Sequence, residues 1–217
     1  MSTAEEFKVR VDYTKTCQSR YIAHLDTIDV ISKALRRLQL PYSVTQGCHA
    51  RPKLTFGPPL PLGHASFCEY FILTMASPVD AEWLKTALTR ELPHGMHVSK
   101  IEMPYTEKKT GTNGEKLTYR LVFSDNETAQ KAVDFLQNPS VTFEVERKGQ
   151  LKKYQLGDAV RQTKLSQYED KYLVEAQFVQ GLPDVPSVSK IVTALAEHLG
   201  ESKNGLMLIE RVALSEV

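Results

Sequence analysis

The chain has 217 residues, of which 41% are hydrophobic and 24% are charged, and its formal net charge is +1. This composition is typical of a soluble globular protein and suffices for one or two domains with complete hydrophobic cores. The sequence has no apolar run long enough to span a bilayer, and its start lacks the apolar segment of a signal peptide. These features argue against a helical membrane protein and predict a cytoplasmic protein with no membrane partner.

The three cysteines, Cys17, Cys48 and Cys68, indicate neither a disulfide framework nor an iron–sulfur loop, because their number is odd and no CxxC spacing occurs. Thiolate and imidazole groups suit zinc, and the candidate ligands that could approach one another are Cys48, His49, His64 and Cys17. Their spacing matches no zinc pattern, and an isolated cysteine more often fills a small apolar space. The sequence therefore predicts no metal and no cofactor.

Positive charge is concentrated in one part of the chain. Residues 13–68 contain seven lysines and arginines but two acids, Asp26 and Asp29. A basic region on a nearly neutral protein attracts phosphate groups without causing nonspecific binding by the whole molecule. The region predicts a nucleic-acid-binding surface, and the alternative is a solvated face of mixed purpose.

The first half of the chain begins with a strand and a helix. Residues 7–13 alternate apolar and polar side chains, as a half-buried strand does. Residues 24–38 carry apolar side chains at helical spacing, so we expect one apolar stripe on a helix that Pro41 ends. The expected stripe consists of Leu25, Ile28, Ile31, Leu35 and Leu38.

Residues 42–66 contain three glycines and four prolines, with Arg51 and Lys53 among them. Glycine permits tight turns and proline stiffens the backbone. Apolar residues alternate with them, as in an extended segment that packs on one side. We predict an ordered, basic, extended loop and strand that forms a binding surface. The alternative is a long hairpin whose shape serves packing alone.

Three more elements complete a first unit. Residues 67–75 are strongly β-prone, a capped helix opens at Ser77, and residues 97–103 form the last strand. The resulting order, β-α-β-β-α-β, is the ferredoxin-like pattern. We therefore predict a ferredoxin-like unit with a basic Gly/Pro-rich loop over residues 1–104.

The second half of the chain repeats this order. Residues 105–116 are polar and without apolar period, so they are predicted to be a linker, and residues 117–217 form a second unit. Its strands are expected at 117–123, 141–146, 172–179 and 206–214, and its helices open at Ser124 and Ser187. Residues 151–171 fit a hairpin or a short helix equally well. The predicted fold class is α+β, with two tandem ferredoxin-like units that have antiparallel sheets.

Several motifs occur together in the first half: His24-Leu25-Asp26, Gln46-Gly47, and the segments 51–56 and 60–63. With a weaker likeness at 147–149, they resemble the radical SAM-linked protein family, whose members are fused to, or encoded beside, a radical S-adenosylmethionine protein. That family has no established reaction, and its gene neighbourhoods associate it with RNA. The resemblance implies a radical SAM partner. The radical chemistry would belong to that partner, since this chain has no three-cysteine cluster motif.

His24 is the candidate catalytic residue. An imidazole among cations can act as general acid or base on an RNA phosphate, and the cations expected around it are Lys15, Arg20, Arg51 and Lys53. The arrangement resembles the CRISPR repeat-processing endoribonucleases, which are tandem ferredoxin-like proteins with a glycine-rich loop. In the alternative, His24 and its neighbour Asp26 cap the helix. Neither a Ser-His-Asp arrangement nor a GxxxxGK phosphate loop is present, so binding is expected rather than catalysis.

Single-stranded RNA is bound by cations that contact phosphates and by flat side chains that stack on bases. If the strand alternates regularly, Arg51 and Lys53 share one face and Phe56 faces the core. The predicted nucleic-acid-binding residues are Arg20, Arg36, Arg37, Gln46, Arg51 and Lys53. The leading hypothesis is a non-catalytic RNA-binding accessory module that works with a radical SAM protein. The alternatives are a metal-independent endoribonuclease and a pure protein-interaction adaptor.

Overall fold

The computed structural model describes residues 7–46, 49–106, 115–147, 149–182 and 184–216. The chain divides into two compact units, Met1–Lys108 and Lys109–Val217. This division falls within the segment 105–116, of which residues 107–114 lie outside the described ranges. No helix in the described ranges is both long and apolar enough to cross a membrane.

The described part of the first unit contains four strands and two α-helices. These are β1 (Phe7–Lys15), α1 (His24–Arg37), β2 (Leu54–Phe56), β3 (Ala65–Met75), α2 (Ala81–Glu91) and β4 (Met96–Glu102). Strand β1 pairs with β3 on one side and with β4 on the other, and β2 pairs with β3; all three pairings are antiparallel. A 3-10 helix, Cys17–Tyr21, connects β1 to α1.

The core of the first unit follows from the alternation in its strands. Val9, Val11 and Tyr13 of β1 are buried, and the intervening side chains are half-buried. Helix α1 covers this face with a stripe that includes Ile31 and Leu35. The expected stripe was too long at its start, because Leu25 is 75% exposed. Helical spacing fixes the face of a residue but not whether another element covers the first turn.

The described part of the second unit contains six strands and two α-helices. These are β5 (Glu115–Phe123), α3 (Asn126–Gln137), β6 (Thr142–Arg147), β7 (Gln150–Gln155), β8 (Val160–Tyr168), β9 (Lys171–Gln180), α4 (Val188–Leu199) and β10 (Leu206–Glu216). Strand β5 pairs with β10 and β9, and β8 pairs with β9, all antiparallel. The buried side of β5, which includes Tyr119 and Phe123, packs with α3 and α4.

The prediction of two tandem ferredoxin-like units is wrong, although the α+β class is correct. In the second unit, β10, β5, β9 and β8 pair in that order, all antiparallel, whereas β6 and β7 form a small sheet of their own. Residues 141–146, expected as an integral strand of the second unit, supply β6 and pair with β7 instead. Alternation locates a strand, but backbone N–H and C=O groups are alike in every strand, so it does not specify which strands become neighbours.

Helix caps also differ from the expected ones. The N-cap of α2 is Asp80 and not Ser77, and its carboxylate accepts a hydrogen bond from the Trp83 backbone N–H at 2.7 Å. In α3 the N-cap is Asp125 and not Ser124, and Asp125 accepts from the Thr128 backbone N–H at 2.8 Å. Aspartate and serine cap helices about equally well, so two neighbouring candidates cannot be ranked by residue type.

The Asp125 cap makes stability depend on pH. The hydrogen bond from the Thr128 backbone, which favours the carboxylate, lowers the pKa of Asp125. Its contribution is therefore complete above the ordinary carboxyl pKa and is lost as pH falls through the lowered value. We expect Asp125→Ala to reduce the unfolding free energy by about 1 kcal/mol at pH 7 and by much less in acid, as measured by urea unfolding.

Asp125→Asn is the matched control, because asparagine caps without titrating. It should retain most of the stability at pH 7. An Asp125→Ala deficit that stays the same from neutral to strongly acidic pH would contradict the role assigned to the carboxylate.

Candidate nucleic-acid interface

Residues 43–53 form a hairpin, called here the arm. The Thr45 backbone N–H donates to the Arg51 carbonyl at 2.8 Å, and the Lys53 N–H donates to the Ser43 carbonyl at 2.8 Å. Val44 and Pro52 lie opposite each other in an antiparallel bridge. The segment predicted as an extended loop and strand is therefore folded back on itself before β2 begins. Residues 47–48 lie outside the described ranges.

The base of the arm is fixed to the end of strand β3. Ser43 donates its backbone N–H to the Thr74 carbonyl at 2.9 Å, and Thr74 donates its own N–H to the Lys53 carbonyl at 3.1 Å. Both strands of the arm are thus bonded to one residue of the sheet. Because these are backbone bonds, the position of the arm depends little on its side chains.

The arm presents polar and cationic side chains to solvent. Gln46 and Arg51 are exposed, Lys53 is half-buried, and Pro52 between the two cations is buried. Neighbouring residues of a strand face opposite sides, so Arg51 and Lys53 lie on the side opposite Pro52. No acid occurs from residue 30 to residue 68, so no carboxylate of this stretch offsets the two charges.

Arg36 and Arg37 lie at the same end of the first unit as the arm. They occupy the last turn of α1, and the chain then reaches Tyr42, which bridges to Met75 at the end of β3. Arg37 is already engaged, since its guanidinium forms an ion pair with the Glu91 carboxylate and donates from Nη2 to the Glu91 carbonyl at 2.8 Å. Arg36 is exposed and is the better candidate of the two.

Arg20 lies at the other end of α1. The helix has 14 residues and is therefore about 20 Å long. Arg20 donates from Nη2 to the Tyr21 hydroxyl at 2.6 Å, and its guanidinium carbon is 4.8 Å from the centre of the Tyr21 ring. The six predicted binding residues thus separate into Gln46, Arg51 and Lys53 on the arm, the two arginines near it, and Arg20 at a distance.

His24 is half-buried and packs against an aromatic ring. Its ring centre lies 5.8 Å from that of Phe56 at an interplanar angle of 84°, and Phe56 in turn lies 5.8 Å from Phe71. Ala23, not His24, is the N-cap of α1, and no side chain bonds there. The capping role that the alternative assigned to His24 and Asp26 is therefore not observed.

Phe56 and Tyr42 do not provide exposed stacking surfaces. Both are half-buried and pack against the hydrophobic core of the first unit. This agrees with the strand alternation, which places Phe56 opposite the cations. The most exposed rings of this unit lie elsewhere, at Tyr21 and Trp83.

Four polar side chains are buried near the junction of β1 and β3, which their residue types alone do not predict. Lys15, His64, Ser66 and Glu69 are all at least nine-tenths buried. Lys15 lies opposite Ser66 in the β1–β3 pairing, and its ammonium donates to the Ile22 carbonyl at 2.6 Å. The sequence signal for the burial of Lys15 is strand alternation, because Lys15 continues the odd-numbered, core-facing positions of β1.

No group of three or more His, Cys, Asp or Glu side chains among the described residues is arranged to hold a metal ion. Cys17 is exposed and Cys68 is half-buried, and neither forms a disulfide within the described part of the chain. Cys48 lies outside the described ranges.

The chain matches a family of bacterial proteins. A family model described as an uncharacterized protein conserved in bacteria, DUF2344, matches residues 8–189. No curated protein matches the chain. An unknown protein from Galdieria sulphuraria is similar at 12% identity, over 98% of this chain and 99% of that chain, with a TM-score of 0.26. A microcompartments protein from Desulfitobacterium hafniense has 10% identity over 97% and 94% of the two chains, with a TM-score of 0.23.

Proposed function

The chain belongs to the DUF2344 family of uncharacterized bacterial proteins, whose description states no activity, and we propose its function from the geometry of the site. The protein is a non-catalytic RNA-binding module that positions RNA for a partner enzyme. The observation that carries the proposal is the arm, which holds Arg51 and Lys53 on one side of a hairpin fixed to Thr74. Gln46 and Arg36 extend this surface.

The arm has the properties that a phosphate-binding surface requires. Two cations on the same side of a strand are about 7 Å apart along the chain, so they contact separate phosphate groups. The surrounding stretch without acids raises the local positive potential, which speeds the approach of a polyanion. Gln46 adds a side-chain amide, which can donate to phosphate or sugar oxygens.

Catalysis by His24 is not part of the proposal. A general acid or base must reach the proton that it transfers, whereas the imidazole lies edge-on to Phe56 and is half-buried. Lys15, one of the predicted cations, donates to the Ile22 carbonyl. These contacts support binding over cleavage.

A radical SAM protein is the partner that we propose. The support is the likeness of residues 24–26 and 51–56 to the radical SAM-linked family, and the family description itself names no partner. In such a pair the arm would hold RNA while the other chain supplies the iron–sulfur cluster. Co-purification of the two chains, retained after nuclease treatment, would test this contact separately from RNA binding.

RNA binding is tested by fluorescence anisotropy of a labelled single-stranded RNA at several salt concentrations. We expect Arg51→Ala/Lys53→Ala to weaken binding about tenfold and to reduce the slope of log affinity against log salt by roughly 1.4, which corresponds to two phosphate contacts on a single strand. Lys153→Ala/Lys164→Ala removes the same charge from exposed positions of the second unit and is the matched control. Equal losses in both double variants, or binding independent of salt, would contradict the proposal.

A further inference from the structure

Large apolar side chains are exposed together at the end of the first unit that lies away from the arm. Tyr21 is 60% exposed, Leu62 is 64% exposed, and Phe67 is 46% exposed. With Leu25, which is also exposed, they are called here the end patch. Isolated exposed apolar residues are ordinary, but a contiguous group of them indicates a binding surface.

Backbone contacts bring the parts of the end patch together. The Gly63 N–H donates to the Arg20 carbonyl at 2.9 Å, and a Cβ built on Gly63 would lie 3.8 Å from the Tyr21 ring. The segment that carries Leu62 therefore lies directly against Tyr21. Phe67 follows Gly63 by four residues, or at most about 14 Å of chain, and the 3-10 helix that contains Tyr21 contacts β3.

The end patch has a cation beside its apolar side chains. The guanidinium of Arg20 lies over the Tyr21 ring and donates to its hydroxyl, which holds the two planar groups together. Nucleic-acid bases stack on aromatic rings and on guanidinium planes. Gly63, with φ of +83°, turns the chain beside the ring without a side chain that would cover it.

We propose that the end patch is a stacking platform for unpaired bases, which makes single-stranded RNA the ligand of this module. The inference rests on the proposed RNA-binding function and adds a substrate class to it. Bases of a duplex stack on one another and present only their edges, so they cannot lie on Tyr21 or Phe67. Unpaired bases expose their faces and gain contact area on these rings.

The distance between the arm and the end patch indicates how long an RNA strand must be to contact both surfaces. The arm and the end patch lie near opposite ends of α1, which is about 20 Å long. An RNA strand with stacked bases advances about 3.4 Å per nucleotide, so about six nucleotides reach from one surface to the other. Phosphates of one part of the strand contact the arm while bases of another part stack on the end patch.

The test compares Tyr21→Ala and Phe67→Ala in the full chain, with labelled single-stranded RNA and a duplex of the same length. Each variant is expected to weaken single-strand binding about tenfold, in line with measured losses for base stacking. The salt slope is expected to stay the same, because stacking releases no counterions. Tyr21→Phe keeps the ring and loses only the hydroxyl that accepts from Arg20, so it should bind single-stranded RNA more tightly than Tyr21→Ala.

Tyr168→Ala is the matched control, because Tyr168 is 64% exposed in the second unit; it should bind like the wild type. Salt-dependent RNA binding that is unchanged in Tyr21→Ala and Phe67→Ala would overturn the platform and leave the proposed function in place. Equal affinity of the wild type for duplex and single strand would overturn it as well. If the wild type binds no RNA, both the proposed RNA-binding function and the stacking platform are rejected, and the end patch would then be a protein-docking surface.

Discussion

Phe71→Ala is expected to lower the unfolding free energy of the first unit by about 3–5 kcal/mol. The Phe71 ring is fully buried in β3, a strand paired on both sides. Its centre lies 6.0 Å from that of Tyr13 and 5.8 Å from that of Phe56. Removing it leaves a cavity between two other rings, which a rigid sheet cannot close.

The chain has one tryptophan, Trp83 in α2 of the first unit, so its fluorescence reports on this unit during urea unfolding. We expect the midpoint of Phe71→Ala to fall by on the order of 2 M. Phe67→Ala is the matched control on the same strand, because that ring is 46% exposed, and it should cost less than about 1 kcal/mol. Similar unfolding midpoints for the two variants would contradict the burial of the Phe71 ring in the core of the first unit.

Arg211→Ala is expected to lower the stability of the second unit by about 3 kcal/mol or more. Arg211 in β10 is 1% exposed, and its Nε donates to the Tyr119 hydroxyl at 2.9 Å. The guanidinium carbon also lies 5.4 Å from the Tyr119 ring centre. Truncation removes the packing of a large side chain and takes a donor from a buried hydroxyl.

Hydrogen exchange of peptides from residues 115–123 and 206–216 measures this effect within the second unit. Arg120→Ala is the matched control. Arg120 is half-buried and forms ion pairs with Glu175 at 2.7 Å and with Glu210 at 3.6 Å. Such partly exposed ion pairs contribute at most about 1 kcal/mol to stability. Arg211→Met refills most of the volume. If Arg211→Met restored full protection, packing rather than the hydrogen bond would account for the arginine.

The positions of the elements could be predicted from the sequence because their signals are local. The alternation of residues 7–13 corresponds to β1, and the stripe of 24–38 corresponds to α1. Pairing between strands is not local, so the sheet organisation was predicted wrongly. The exposure of Leu25 has the same origin, since it depends on what lies opposite the first turn of α1.

The candidate site was predictable in composition but not in arrangement. Charge and strand alternation predict that Arg51 and Lys53 share one face, and both residues lie on one hairpin. The engagement of Arg37 by Glu91 depends on α2 packing against α1, a contact between residues 54 positions apart. The end patch was missed because an exposed tyrosine or leucine has the same local pattern as a buried one.

The most direct test of RNA binding by the arm is ultraviolet crosslinking of the purified full chain to single-stranded RNA, followed by peptide mapping. Crosslinks are expected in peptides that contain residues 43–53, and they should decrease at high salt and in Arg51→Ala/Lys53→Ala. Crosslinks that persist in that double variant at both salt concentrations, or an absence of crosslinks at low salt, would contradict the RNA-binding function.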